Sequence, residues 1–195
     1  MRRESFDQSP EPVLERLFKK LRHAKVMRHI PAASIVVDLG CGYKGEFLRG
    51  LSDRIDQGIG FDIYVSNSKP AANVTLQTVR VDDGLPLPGA FANVVTGLAL
   101  IEHVIRPDAL YRECFRILKP GGLLLLTTPA SRAKSLLEFM AFRLKIMSYE
   151  EIADHKRYYD RESLVQDLIQ GGFKRENITV SNFELGFNLF VIATK

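Results

Sequence analysis

The stretch over residues 35–45, Ile-Val-Val-Asp-Leu-Gly-Cys-Gly-Tyr-Lys-Gly, constrains the fold of this 195-residue chain more than any other. It begins with a β-branched run between Pro31 and a cluster of glycines, which is typical of a strand buried on both faces in a parallel sheet. The glycines let the backbone turn tightly and approach a ligand without an intervening side chain. The stretch therefore predicts an α/β protein with a ligand site at the end of a central strand.

The spacing of Gly40, Gly42 and Gly45 matches G-x-G-x-x-G, and Asp62 follows twenty residues after Gly42. Nicotinamide-dependent oxidoreductases use this pattern to hold a pyrophosphate, so their fold and function must be considered. Asp38 argues against them, because a carboxylate at the mouth of the strand repels phosphate and attracts an amino group. S-adenosylmethionine offers an ammonium, a sulfonium and a ribose but no phosphate, and it fits the two acids better.

Residues 36–42, Val-Val-Asp-Leu-Gly-Cys-Gly, resemble the first motif of the class I S-adenosylmethionine-dependent methyltransferases. Residues 85–88, 100–104 and 117–122 resemble, in the right order, later motifs of the branch that acts on small molecules and lipid quinones. The resemblance implies one domain over residues 1–195, folded as a three-layer α/β sandwich. Its seven-stranded, mostly parallel sheet would have the order 3-2-1-4-5-7-6 with right-handed crossovers.

The resemblance also implies how the cofactor, S-adenosylmethionine, is bound. Asp62 would accept both ribose hydroxyls, and Asp82, or alternatively Asp83, would meet the adenine amino group. Main-chain atoms near Leu98 and Ala99 would line the methionine portion. The expected cofactor residues are Asp38, Gly40, Cys41, Gly42, Asp62, Ile63, Asp82, Asp83, Leu98 and Ala99.

The candidate catalytic residues are His103, His155 and Tyr158. His103 follows the fourth predicted strand and could act as a general base, because the unperturbed pKa of histidine lies near working pH; the alternative is a hydrogen-bonding wall residue. His155 and Tyr158 belong to a segment that resembles the His-x-Arg-aromatic segment of the same branch, and its alternative role is to pin a lid to the domain. Positioning would be the main catalytic effect, because the sulfonium methyl is already activated. No metal site is expected from the Cys and His spacing.

Two further segments flank the motifs. Residues 9–30 are predicted to form a basic amphipathic helix over the cofactor mouth, with contact to an acidic membrane surface as the alternative. The apolar residues recurring at helical spacing there are Val13, Leu14, Leu17, Leu21, Val26 and Ile30. Residues 129–159 break the alternation of strands and helices and are predicted to form a lid, where substrate identity should reside.

Composition narrows the class of protein. Apolar residues make up 46% and charged residues 26% of the chain, which is ordinary globular usage. The net charge of +4 is modest, so a small-molecule acceptor is expected as partner rather than nucleic acid. Two cysteines and no apolar signal region at the basic start favour the cytoplasm. Lys44, inserted before the third glycine, keeps a non-catalytic regulator or partner subunit open as an alternative; the acceptor and the oligomeric state are not predicted.

Overall fold

The centre of the molecule is a seven-stranded sheet, seen in a computed structural model that describes residues 13–67, 69–133 and 156–195. Its order, β3-β2-β1-β4-β5-β7-β6, confirms the predicted topology. Strands β1 to β5 are parallel, and β7 runs antiparallel to both of its neighbours. The strands are β1 (Ile35–Leu39), β2 (Gln57–Asp62), β3 (Val74–Thr78), β4 (Ala92–Leu98), β5 (Leu118–Pro129), β6 (Ile178–Phe183) and β7 (Asn188–Thr194).

Strand β1 lies inside the sheet, between β2 and β4, because its side chains are mostly apolar on both faces. Val36 and Val37 point into opposite cores, and both are fully buried. The register places Asp38 opposite Gly60 of β2 and Thr96 of β4. The carboxyl ends of β1, β2 and β4 therefore meet at one edge of the sheet, which we call the carboxyl edge.

Helices cover both faces of the sheet and give the three predicted layers. On one face, the core cluster includes Leu110 of α3 (Pro107–Ile117) and Leu168 of α4 (Arg161–Gln170). On the other face, the cluster includes Val26 of α1 (Val13–Met27) and Phe47 of α2 (Glu46–Arg49). Helix α4 begins at a standard cap, because the carboxylate of Asp160 accepts a hydrogen bond from the Ser163 amide at 2.8 Å.

Two element boundaries shape the surroundings of the carboxyl edge. Strand β3 ends at Thr78, and the 3₁₀ turn over residues 81–83 carries Asp82 and Asp83. Strand β5 begins at Leu118, where it already pairs with Ala92 of β4.

Helix α1 packs beside the glycine loop through one of its faces. The Lys19 ammonium lies 2.7 Å from the Glu46 carboxylate, and the His23 ring meets the edge of Phe47 at a centroid distance of 5.0 Å. Burial, with Arg22 and Lys19 nearby, lowers the pKa of His23 to about 4, so the ring is neutral at pH 7. No helix in the described part of the chain is both long enough and apolar enough to cross a bilayer.

The two flanks of the predicted lid are joined at the carboxyl edge. Ala130 and Tyr159 form a parallel bridge, and the Ser131 amide donates to the Tyr159 carbonyl at 2.7 Å. Residues 134–155, which hold most of the predicted lid and His155, lie outside the described residues.

Candidate active site

The glycine loop after β1 forms an open cradle at the carboxyl edge. Gly40 and Gly42 have φ values of 69° and 72°, a left-handed conformation that glycine adopts without strain. The amides of Gly40 and Cys41 both donate to the Phe61 carbonyl, at 2.8 and 3.2 Å, which anchors the loop to β2. A Cβ on Gly40 would lie 2.9 Å from Leu100, whereas one on Gly42 would meet no atom within 4 Å. The loop therefore presents bare backbone to open space at Gly42.

Asp62 at the end of β2 holds this loop from the other side. One carboxylate oxygen accepts the Gly42 amide at 2.8 Å, and the other accepts the Ile63 amide at 2.7 Å. A carboxylate oxygen has two acceptor positions, so each oxygen can still accept one more hydrogen bond. Asp62 can thus order the loop and bind a diol at the same time.

Asp38 is a buried acid beneath the cradle. Its carboxylate accepts a hydrogen bond from the Thr96 hydroxyl at 2.5 Å. Burial raises the pKa of Asp38 to about 7; the Thr96 hydrogen bond opposes this rise, and the charge of Asp62 adds to it. A cation bound in the cradle would compensate a charge that the protein itself leaves largely unbalanced.

The two acids after β3 occupy different environments. The Asp82 carboxylate accepts the Arg106 amide at 3.3 Å, and its side chain is 18% exposed. The Asp83 side chain is 74% exposed and lies 3.7 Å from the Arg80 guanidinium. Asp82 is therefore the acid that the fold holds in place, and Asp83 is a solvated neighbour.

The chain leaves β4 through a constrained residue. Ala99, directly after Leu98, has a φ of 51°, which is uncommon for a residue with a Cβ. Its amide donates to both the carbonyl and the hydroxyl of Thr127, at 3.0 and 3.1 Å. The sequence predicts Ala99 as a cofactor residue but not the supporting Thr127 and Thr96, whose only signal is a polar residue within an otherwise apolar strand.

The loop after β4 carries His103 next to a buried acid. Glu102 is buried, and its carboxylate accepts the Thr128 hydroxyl at 3.1 Å. Its carbonyl accepts the Lys156 amide at 2.9 Å, and the Lys156 ammonium donates to the His103 carbonyl at 3.0 Å. The segment that leads to Tyr158 is thus fastened to the loop that bears His103, while His155 lies outside the described residues.

These contacts favour a cationic nucleoside over a dinucleotide. A dinucleotide loop offers free amides to the pyrophosphate, but here the Gly42 amide already donates to the Asp62 carboxylate. Two acids, Asp38 and Asp62, also flank the cradle, and they would repel phosphate. The residues present fit S-adenosylmethionine, which brings positive charge and a ribose diol to the same place.

Comparison with known proteins agrees with this geometry. A model of the methyltransferase domain matches residues 4–177. The chain belongs to this methyltransferase family. An S-adenosylmethionine-dependent methyltransferase from Archaeoglobus fulgidus has the same fold, with a TM-score of 0.69 and 21% identity, covering 94% of this chain and 98% of that one.

Two relatives of this chain are named as ubiquinone biosynthesis O-methyltransferases. The protein from Chromobacterium violaceum is 32% identical over 125 residues, which are 60% of this chain and 51% of that protein. The protein from Psychrobacter arcticus is 28% identical over 170 residues, which are 80% of this chain and 65% of that protein. The chain spans about half the length of the relatives that it matches.

Replacing Gly42 by alanine should weaken cofactor binding, and Gly121→Ala is its matched control. Both glycines have similar φ values, 72° and 76°, and an added Cβ meets nothing within 4 Å at either. Both variants should therefore lose about 1–2 kcal/mol of unfolding free energy. Only Gly42→Ala places a methyl group in the cradle, so calorimetry should find its affinity for S-adenosylhomocysteine about fivefold or more weaker. Equal affinities for both variants would contradict this placement.

Asp82→Asn should lower the affinity for S-adenosylhomocysteine about fivefold, while Asp83→Asn should leave it unchanged. The asparagine carbonyl can still accept the Arg106 amide, so the loop should stay in place. The asparagine cannot supply a carboxylate to an adenine amino group, and one such hydrogen bond contributes about 1 kcal/mol. Titration calorimetry on the two variants checks the assignment, and a larger effect from Asp83 would reverse it.

Proposed function

We propose that this chain transfers a methyl group from S-adenosylmethionine to a small-molecule acceptor such as a sugar or lipid precursor. The observation that carries the proposal is the cradle itself, in which Asp62 holds the bare backbone of Gly42 and the buried Asp38 lies near Asp62 and Cys41. When bound, S-adenosylmethionine supplies an activated methyl group on a sulfonium. The domain match over residues 4–177 supports the same function.

Each residue of the cradle has a defined task in this proposal. Asp62 accepts the ribose hydroxyls, Asp38 balances the amino group, and Asp82 meets the adenine amino group beside Ile63. The remaining cofactor contacts come from the main chain near Leu98, Ala99, Gly40, Cys41 and Gly42. Holding the two reactants in line can lower the barrier by about 7–11 kcal/mol, so positioning accounts for most of the rate enhancement.

The acceptor we favour is a hydroxyl group. Relatives from two organisms are named as O-methyltransferases of ubiquinone biosynthesis, and a hydroxyl must lose its proton as the methyl arrives. His103 is the group that takes this proton, since it follows β4 at the carboxyl edge, where β1 and β2 also end. His155 and Tyr158 are the further candidates, and both would reach the acceptor from the last residues of the predicted lid.

A two-part experiment tests the function. Calorimetry should show S-adenosylhomocysteine binding and no NAD binding, and tritiated S-adenosylmethionine should label a compound in a metabolite extract. A chain that binds the cofactor analogue but labels nothing in any extract would be a non-catalytic member. Tight NAD binding would instead identify an oxidoreductase, and either result would overturn the proposal.

A further inference from the structure

Helix α1 has an exposed apolar stripe in addition to its buried face. Val26 and Ile30 are buried in the core, as expected from their helical spacing. Leu17 and Leu21, predicted for the same stripe, are instead 50% and 47% exposed. They share one face of the helix, because residues four apart lie one turn apart. That face is opposite Val26, which follows Leu17 by about two and a half turns.

The excess positive charge of the protein is concentrated in this helix and the turn that follows it. Residues 13–30 contain six Lys or Arg residues and one Glu, which gives a charge of +5, while the whole chain carries +4 and the rest of it therefore −1. Arg16 and Lys20 are exposed on the helix with the two leucines, and Arg28 is exposed in the turn after it.

A second exposed leucine site lies next to this helix. Leu185 occupies the hairpin between β6 and β7 and is 96% exposed, with a φ of 55° that is unusual for a leucine. Arg22 interacts electrostatically with the neighbouring Glu184, and the Lys25 ammonium lies 5.4 Å from the Phe190 ring centroid. The hairpin thus lies alongside α1, and β7 begins at the carboxyl edge opposite Pro129.

We propose that the outer face of α1, with Leu185, docks on the surface of an anionic lipid bilayer. The leucines enter the headgroup region while Arg16, Lys20 and Arg28 contact lipid phosphates. Charge complementarity favours this occupant, because the face combines apolar side chains with three exposed basic residues, Arg16, Lys20 and Arg28. Since α1 also contacts Glu46 and Phe47 next to the glycine loop, docking brings the carboxyl edge close to the lipid surface.

Vesicle co-sedimentation of the full chain tests the proposal without any methyl acceptor. The protein should sediment with vesicles of phosphatidylcholine mixed with phosphatidylglycerol, and much less with phosphatidylcholine alone. Raising the salt concentration should release it, because screening weakens the contact of exposed charges with phosphate. Since the assay does not involve S-adenosylmethionine, its failure would leave the proposed methyl transfer untouched.

Surface variants distinguish binding through the proposed face from attraction of the whole positively charged protein to the vesicles. Arg16→Gln/Lys20→Gln should weaken binding at least about tenfold, since each basic residue near such a surface contributes about fivefold. The control Lys174→Gln/Arg175→Gln removes the same charge from exposed residues before β6, at the end of the sheet opposite the carboxyl edge. This control should bind vesicles as the wild type does. Leu17→Gln/Leu21→Gln and Leu185→Asn should also weaken binding, and asparagine tolerates the left-handed conformation at 185.

Three results would overturn the proposal. The first is the same sedimentation with and without phosphatidylglycerol. The second is undiminished binding by the α1 variants, with thermal unfolding confirming that they fold. Dimerisation through α1 in the absence of vesicle binding would also overturn it, and would identify a second copy of this chain as the occupant.

Discussion

Asp62→Ala is expected to lower the affinity for S-adenosylhomocysteine at least about tenfold. The variant loses the acceptors for the ribose hydroxyls, and a hydrogen bond to a charged group contributes about 1.5–3 kcal/mol. It also releases the Gly42 amide, which Asp62 holds at 2.8 Å, so the cradle loses part of its order. Titration calorimetry measures the loss directly.

Two companion variants make the Asp62 experiment decisive. Asp53→Ala removes an exposed acid from the turn before β2 and should leave the affinity unchanged. Asp62→Asn should lose nearly as much as Asp62→Ala, because its amide nitrogen would face the N–H group of either Gly42 or Ile63. An Asp62→Ala variant that binds as the wild type does would disprove the ribose assignment.

Asp38→Asn is expected to stabilise the ligand-free protein at pH 8 while weakening cofactor binding at least about tenfold. Burial raises the pKa of Asp38 to about 7 in the folded state, well above its usual value near 3.8. Between pH 3.8 and pH 7 the folded state therefore binds more protons than the unfolded state. The unfolding free energy of the wild type falls as pH rises through this range and stays low above pH 7. Asparagine keeps the acceptor for Thr96 without the buried charge, but it cannot balance an amino group.

The comparison of the two proteins across pH gives the measurement. The Tm difference between Asp38→Asn and the wild type should be near zero at pH 4 and reach several degrees at pH 8, since 1 kcal/mol corresponds to about 2–4 °C for a domain of this size. Wild-type affinity for S-adenosylhomocysteine should fall as pH drops through about 7, where Asp38 gains its proton. A variant less stable than the wild type at pH 8 would show that the charge of Asp38 is already balanced within the protein.

The parts of the site that sequence could predict are local in the chain. The run from Val36 to Gly42 holds its signal in adjacent residues, so both the buried strand and a tight glycine turn are predicted, and the structure confirms them. The position of Asp62 beside that loop is predicted from its spacing of twenty residues after Gly42, and the Gly42 amide does donate to its carboxylate. The strand order came from the resemblance of several motifs, and the structure confirms it.

The parts that sequence missed depend on residues far apart in the chain. The Thr96 hydroxyl supports Asp38 across 58 positions, and the Thr127 hydroxyl supports Ala99 across 28. The choice between Asp82 and Asp83 rests on the Arg106 amide, 24 positions beyond Asp82. Helical spacing likewise could not show that Leu17 faces outward, because an apolar stripe does not reveal which surface it meets.

The bridge between Ala130 and Tyr159 has a consequence for how such proteins diversify. Because Ala130 and Tyr159 are paired, the chain between them begins and ends at one point of the carboxyl edge. The entropy of closing a loop grows only slowly with its length, so insertions there cost the domain little. We propose that exchanging this one segment is a route to new acceptors, while the strands that hold Asp38 and Asp62 stay as they are.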